Sequence, residues 1–291
     1  KSGFRPTFWP RRNHLASSIV SSCGTFDWPR FDNPKVRFPV DEAENARLDA
    51  CEAATLDSIR AHAEANPDTM AAIIMEPIQG EGGDNHFRDS FLRDMRSVCD
   101  EVDALYIFDE VQTGMGATGR MWAHQHSSVE PDMIAFGKKS QVCGLMAGPR
   151  LKEFDDNVFA TSSRINSTWG GNLTDFVRAR LILETIERDD LVRNAEVVGA
   201  ELIAGLNEFG ASHEMVSSVR GRGLFAAFTL PSQDIRNRFN SACLEAGMHV
   251  LNSGTQSIRL RPSLTFSSDE VNEGLNILES VANSIESSAV A

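Results

Sequence analysis

Four short apolar runs dominate the first half of the chain: AAIIM (71–75), LYIFD (105–109), DMIAFG (132–137) and VCGLMAG (142–148). Each is too short for a core helix, so each is expected to be a strand, the first of them buried. FLRDMRSVCDEV (91–102) lies between the first two and has a helical pattern. Ahead of them, from Asp41 to about Asn66, Leu48, Cys51, Ala54, Leu56 and Ile59 recur at helical spacing. Strands alternating with helices predict an α/β fold, a largely parallel sheet with helices on both faces. Ligands of such sheets sit at the C-terminal ends of the strands. Glu76, Asp109 and Lys138 stand at the ends of three of these runs.

After TWGGN (168–172) the texture changes. A long, mostly helical run extends from Leu173 to about Phe209. Candidate strands follow at 215–219, 224–230, 248–251 and 257–260, with helices at 232–246 and 268–285. The expected organisation is a partial large domain over 1–170, linking helices over 171–210 and a small C-terminal α+β domain over 211–291. Residues 1–40 are rich in Pro, Asn, Gly and Ser and read as irregular, with 1–25 atypical. The opening KSGFRPTFWPRRNHL has no initiator Met and no apolar signal core, so an N-terminally truncated chain is expected.

Composition narrows the possible partners. A net charge of -13 over 291 residues disfavours nucleic acid and anionic lipid. No apolar stretch approaches the length of a membrane span. Cys23, Cys51, Cys99, Cys143 and Cys243 are odd in number and widely spaced, which fits a reducing, cytoplasmic setting better than a disulfide framework. Cys143, in an apolar run, is expected in the core. His124 and His126 form an HxH pattern with no third ligand nearby, so no metal site is expected.

Asp109 taken alone reads equally well as a cap for a following helix. Lys138 taken alone reads as a solvated lysine. Together they suit pyridoxal 5'-phosphate, which needs an amine to hold it and a carboxylate to keep its ring nitrogen protonated. Neighbouring parallel strands could aim both side chains at one ligand.

EPIQGEGGDNHFR (76–88), IFDEVQTGMGATG (107–119), FGKK (136–139), STWGGN (167–172) and IRLRPSLTF (258–266), in this order, resemble the class III, or ω-amino-acid, aminotransferases. GKKSQVCGLMAG and RINSTWGGNLTD are most similar to the branch acting on the ε-amino group of lysine. The resemblance runs from about FDWPR (26–30) to the C-terminus. It implies the fold-type I pyridoxal-phosphate transferase architecture and a homodimer with shared active sites. It further implies transfer of the ε-amino group of L-lysine to 2-oxoglutarate, giving 2-aminoadipate 6-semialdehyde and glutamate. By the same resemblance Lys138 is the Schiff-base lysine and Asp109 the partner of the ring nitrogen. Gln112 bonds the ring 3-oxygen and Val111 packs on the ring face. Thr168 reaches the phosphate across the dimer, with Asn166 near that neighbour in the substrate site. Glu81 and Arg259 form a switch pair. An arginine can clamp the α-carboxylate of glutamate in bidentate fashion, and a mobile glutamate can neutralise it when lysine's aliphatic chain lies there.

The family carries about half a large domain ahead of the point where this sequence starts, with its phosphate-binding loop. Lys1 stands where the family has a carboxylate-binding arginine, and lysine is no bidentate equivalent. The stretch from Arg5 to Cys23 does not read like the family. The alternatives are another ω-aminotransferase, acting on 4-aminobutyrate or ornithine, or a catalytically inactive remnant.

Overall fold

The computed structural model describes residues 6–7, 28–161, 164 and 170–290. Its first sheet has the order β1-β2-β3-β4-β5, formed by Pro6–Thr7, Ala72–Met75, Leu105–Asp109, Met133–Phe136 and Gly144–Ala147. β1 to β4 run parallel and β5 antiparallel to β4. The run at 142–148 is thus a strand, but one that turns back on its predecessor. Pro6–Thr7, within the stretch expected to be irregular, pairs in parallel with Ala72 and Ile73.

Two helices cover this sheet: α1 (Glu42–Ala65) and α2 (Asp89–Glu101). Asp41 caps α1, its carboxylate accepting the Glu44 N–H at 2.7 Å. Leu56 and Ile59 of α1, Phe91 and Met95 of α2, and Ile73, Met75, Tyr106 and Phe108 of the sheet form one core. Alternation along β3 buries Tyr106 and Phe108 and leaves Leu105, Ile107 and Asp109 half-buried. Among the described residues α1 and α2 therefore share one face, rather than dividing between the two faces as expected. Cys143 is exposed, not core. It immediately precedes β5, an edge strand whose four residues are all exposed.

The run from Leu173 is two helices, α3 (Leu173–Arg188) and α4 (Leu191–Ser212), broken where Asp190 adopts a left-handed φ of 50°. A second, antiparallel sheet follows in the order β6-β7-β9-β8, made of Ser217–Arg222, Phe225–Thr229, Leu251–Ser253 (β8) and Ser257–Leu260 (β9). α5 (Gln233–Glu245) and α6 (Ser268–Val290) pack with α4 on it, around Leu206, Phe209, Phe228, Phe239 and Ile258. GRGLF (221–225) is the turn between β6 and β7, as its glycines suggest. Gly223 has φ +59° and sits against the Thr118 backbone, where a Cβ would lie 2.4 Å from a carbonyl carbon. No helix among the described residues is long and apolar enough to cross a membrane.

Candidate active site

The parallel strands bring three ionisable residues together at one edge. Met75 pairs with Phe108 and Asp109 with Ala135, so Glu76, Asp109 and the Gly137-Lys138 turn leave neighbouring strands side by side. Asp109 accepts the Val111 N–H through Oδ1 at 3.0 Å. The next acid, Glu110, is fully committed to structure. It is buried and takes the Ala123 N–H (2.6 Å), the His124 N–H (3.0 Å) and the Thr113 hydroxyl (2.9 Å), with His124 Nδ1 at 2.8 Å. Of the DE pair, only Asp109 is left for a ligand. His124 and His126 are spent on Glu110 and on the Thr118 carbonyl, 3.1 Å away.

The two lysines divide in the same way. Lys139 Nζ donates to the carbonyls of Gln112 (2.6 Å) and Gly114 (3.2 Å) and so staples the 110–114 turn. Burial, helped by the charges of Arg261 and Lys138, pulls Lys139 down to about 8. A lowered lysine is often the reactive one, but this amine is tied to two carbonyls. Lys138 is exposed and opens the turn with a left-handed φ of 49°. For a residue with a side chain that conformation carries strain of the kind found at functional sites.

Gln112 lies against Gly80. A Cβ there would fall 2.4 Å from Gln112 Oε1, so the absence of a side chain at Gly80 makes room for the amide. Gly80 itself donates its N–H to Glu76 Oε2 at 2.8 Å. Val111 directly follows Asp109 and Glu110 in this turn and is half-buried.

Glu81 and Arg259 meet across the two sheets, Oε2 to Nη2 at 2.9 Å. Arg259 is not a surface strand residue: its side chain is 13% exposed against 71% for Glu81. Its Nε and Nη1 are buried without a hydrogen-bond partner. A buried guanidinium with two idle donors beside an exposed acid is what an incoming carboxylate needs. Thr168 and Asn166 lie outside the described residues, as do Lys1 and Trp169.

Sequence reasoning missed the set that fixes this loop. Arg220, buried, donates to the Asp84 carbonyl at 2.8 Å and also to the Gly83 carbonyl. Arg261 pairs with buried Asp84 and covers the Phe225 ring. Gly254 N–H donates to Glu81 O (3.0 Å) and Ser253 Oγ to Gly80 O (2.7 Å). Arg261 was within a quoted motif, but nothing local marks Arg220.

Asp109 for a ring nitrogen, Lys138 for an aldehyde and Gln112 beside them are a donor set that fits pyridoxal phosphate. The family model for "Aminotransferase class-III" matches residues 16–282. The chain belongs to the class III aminotransferases. The match includes residues 16–23, part of the stretch that seemed foreign to the family by sequence alone. This class III chain is 50% identical over 264 residues to the L-lysine-epsilon aminotransferase of Mycobacterium tuberculosis strain H37Rv, covering 90% of the chain and 58% of that protein. It is 34% identical over 262 residues to the mitochondrial 4-aminobutyrate aminotransferase of Sus scrofa, covering 88% and 51%. The solved lysine aminotransferase from M. tuberculosis in the internal aldimine form superposes with TM-score 0.91 at 44% identity, over 97% of this chain and 67% of that one. The fold is therefore that of a fold-type I aminotransferase, and the chain spans about three fifths of the first of these relatives.

Proposed function

We propose that this chain carries the catalytic residues of a pyridoxal-phosphate-dependent lysine 6-aminotransferase, moving the ε-amino group of L-lysine to 2-oxoglutarate and yielding 2-aminoadipate 6-semialdehyde and glutamate. The observation that carries this reading is the Glu81–Arg259 pair, with Glu81 on the loop whose Gly80 touches both Glu76 and Gln112, beside the strand ends that bear Asp109 and Lys138. The higher identity to a lysine than to a 4-aminobutyrate aminotransferase favours lysine over the other ω-amino donors.

Lys138, Asp109, Val111 and Gln112 would hold the cofactor. Pyridoxal 5'-phosphate supplies a carbonyl to accept the amino group and an electron sink for the substrate carbon. The Asp109 carboxylate, one oxygen already on Val111 N–H, offers the other to hold a proton on a ring nitrogen. Gln112 offers its amide to the ring 3-oxygen, and Val111 offers an apolar surface. Lys138 Nζ takes the proton from the substrate carbon that bears the nitrogen and returns it. Arg259 clamps the α-carboxylate of glutamate, and Glu81 covers Arg259 while lysine's aliphatic chain occupies the same place. In this reading Thr168 serves the phosphate of the neighbouring subunit and Asn166 the substrate. A homodimer is supported by the exposed apolar side chains Leu173, Phe176, Val177 and Leu181 along α3.

The test is to load the purified protein with pyridoxal 5'-phosphate and compare L-lysine, 4-aminobutyrate and ornithine as donors to 2-oxoglutarate. Lysine is expected to give the highest kcat/KM. Preference for another donor would replace the substrate, and no turnover with any donor would favour the inactive remnant.

A further inference from the structure

Glu76 has no role in the reading above, yet it stands next to Asp109. Ile74 pairs with Ile107 and Met75 with Phe108, so the following residues leave adjacent parallel strands in register, about 4.8 Å apart. The alternation that puts Ile107 and Asp109 on one face of β3 puts Ile74 and Glu76 on the same face of β2. Two carboxyl groups are thus aimed at one patch of the strand edge. Glu76 also anchors the loop that bears Glu81 and backs Gln112, through the Gly80 N–H on its Oε2.

We propose that Glu76 is a positioning residue that works as a neutral carboxylic acid, leaving Asp109 as the single anion of the pair and holding Gly80 under Gln112. Two adjacent carboxylates away from water do not both ionise readily, and the one with the poorer environment keeps the proton. Glu76 has that environment. Burial is the largest influence and pushes it up, the Gly80 N–H pulls it down, Asp109 pushes it up, Lys138 pulls it down and Asp84 pushes it up, leaving it at about 7. Those are the charged groups that reach it: Asp109 from β3, Lys138 from the turn after β4, and Asp84 from its own loop.

This role rests on the proposed cofactor and reaction, but part of its test does not. Without cofactor, thermal unfolding of wild type and Glu76→Gln is followed from pH 5 to pH 8. A group with a raised folded pKa adds stability at low pH and loses it as pH rises through the folded value. Glu76→Gln, a neutral mimic, should therefore match wild type at pH 5 and gain about 5 °C on it by pH 8. Asp109→Asn, which removes the like charge, should let Glu76 titrate lower and nearer its unfolded value, so that the loss of stability ends at lower pH and shrinks. The expected result is hence a smaller loss in Asp109→Asn than in wild type, and this arm stands even if Glu76→Gln fails to fold. With cofactor bound, a visible-absorbance titration should show a transition near pH 7 in wild type that Glu76→Gln lacks. Parallel unfolding curves for wild type and both variants, or an unchanged absorbance transition in Glu76→Gln, would overturn the assignment. Failure of the loaded protein to turn over lysine with these titrations intact would sink the substrate reading and leave Glu76 neutral as proposed.

Discussion

Lys138 and Lys139 are adjacent and chemically identical, and their surroundings separate them. Lys138→Ala should abolish the visible band of bound cofactor and all transamination while barely changing unfolding temperature, because its amine supports no other part of the fold. Lys139→Ala should keep the band but lower stability by about 2 kcal/mol, since two carbonyls of the 110–114 turn lose their donor. Denaturant unfolding and absorbance read the two effects separately, and the reverse pattern would exchange the assignments. Gly80→Ala is a subtler change. The new Cβ meets only the far end of Gln112, which can swing away. Stability should stay within about 1 kcal/mol of wild type, while kcat/KM falls at least tenfold. An unaffected kcat/KM would mean that the Gln112 amide is not needed where it lies.

At the scale of elements, α6 is tied to the end of α4 by one histidine. His213, 3% exposed, places Nδ1 2.9 Å from Glu286 Oε2 and Nε2 2.7 Å from Glu279 Oε2. Two ionised carboxylates can only accept, so both ring nitrogens must donate and the ring carries charge. Burial works against that charge, but the bonds to Glu279 and Glu286 outweigh it and hold His213 above its ordinary value. The stability this clamp adds is complete below about pH 6.5, the unfolded histidine value, and is lost as pH rises through the folded one. The unfolding temperature of wild type should therefore exceed that of His213→Gln more at pH 6 than at pH 9. A constant difference would show that the ring is neutral throughout.

Across the whole molecule, the 79–85 loop is where the two sheets join, and it carries half of the proposed substrate switch. Arg220 from β6 holds the Gly83 and Asp84 carbonyls, while Glu81 from the loop faces Arg259 from β9. Arg220→Met would leave those buried carbonyls unpaired and should cost about 3 kcal/mol or more. It should also raise KM for lysine and for 2-oxoglutarate alike, because the pair loses its setting. Arg259→Ala should act differently, slowing the 2-oxoglutarate half-reaction far more than the lysine half-reaction, since only the former presents an α-carboxylate to the clamp. Half-reactions timed separately by stopped-flow absorbance distinguish the two, and equal losses in Arg259→Ala would count against the switch.

The sequence by itself determined most of the strands and helices, though not β1. LYIFD is a strand over Leu105–Asp109 just as its apolar run predicts, and the Ala- and Glu-rich stretch is α1 within a residue at either end. Local patterns also placed Asp109 and Lys138 at strand ends, because the apolar period stops where the sheet does. Local spacing could not tell Asp109 from Glu110 or Lys138 from Lys139; the resemblance chose between them, and the tertiary structure adds what occupies Glu110 and Lys139. In each pair one member is used up by distant backbone groups, and such bonds leave no trace in local spacing. The same holds for Cys143, exposed because β5 ends the sheet, and for Asp190, whose left-handed turn splits one helical pattern into two. Glu76 beside Asp109, and Arg220 over the 79–85 loop, are products of strand register and sheet packing, which residues far apart in the chain settle together.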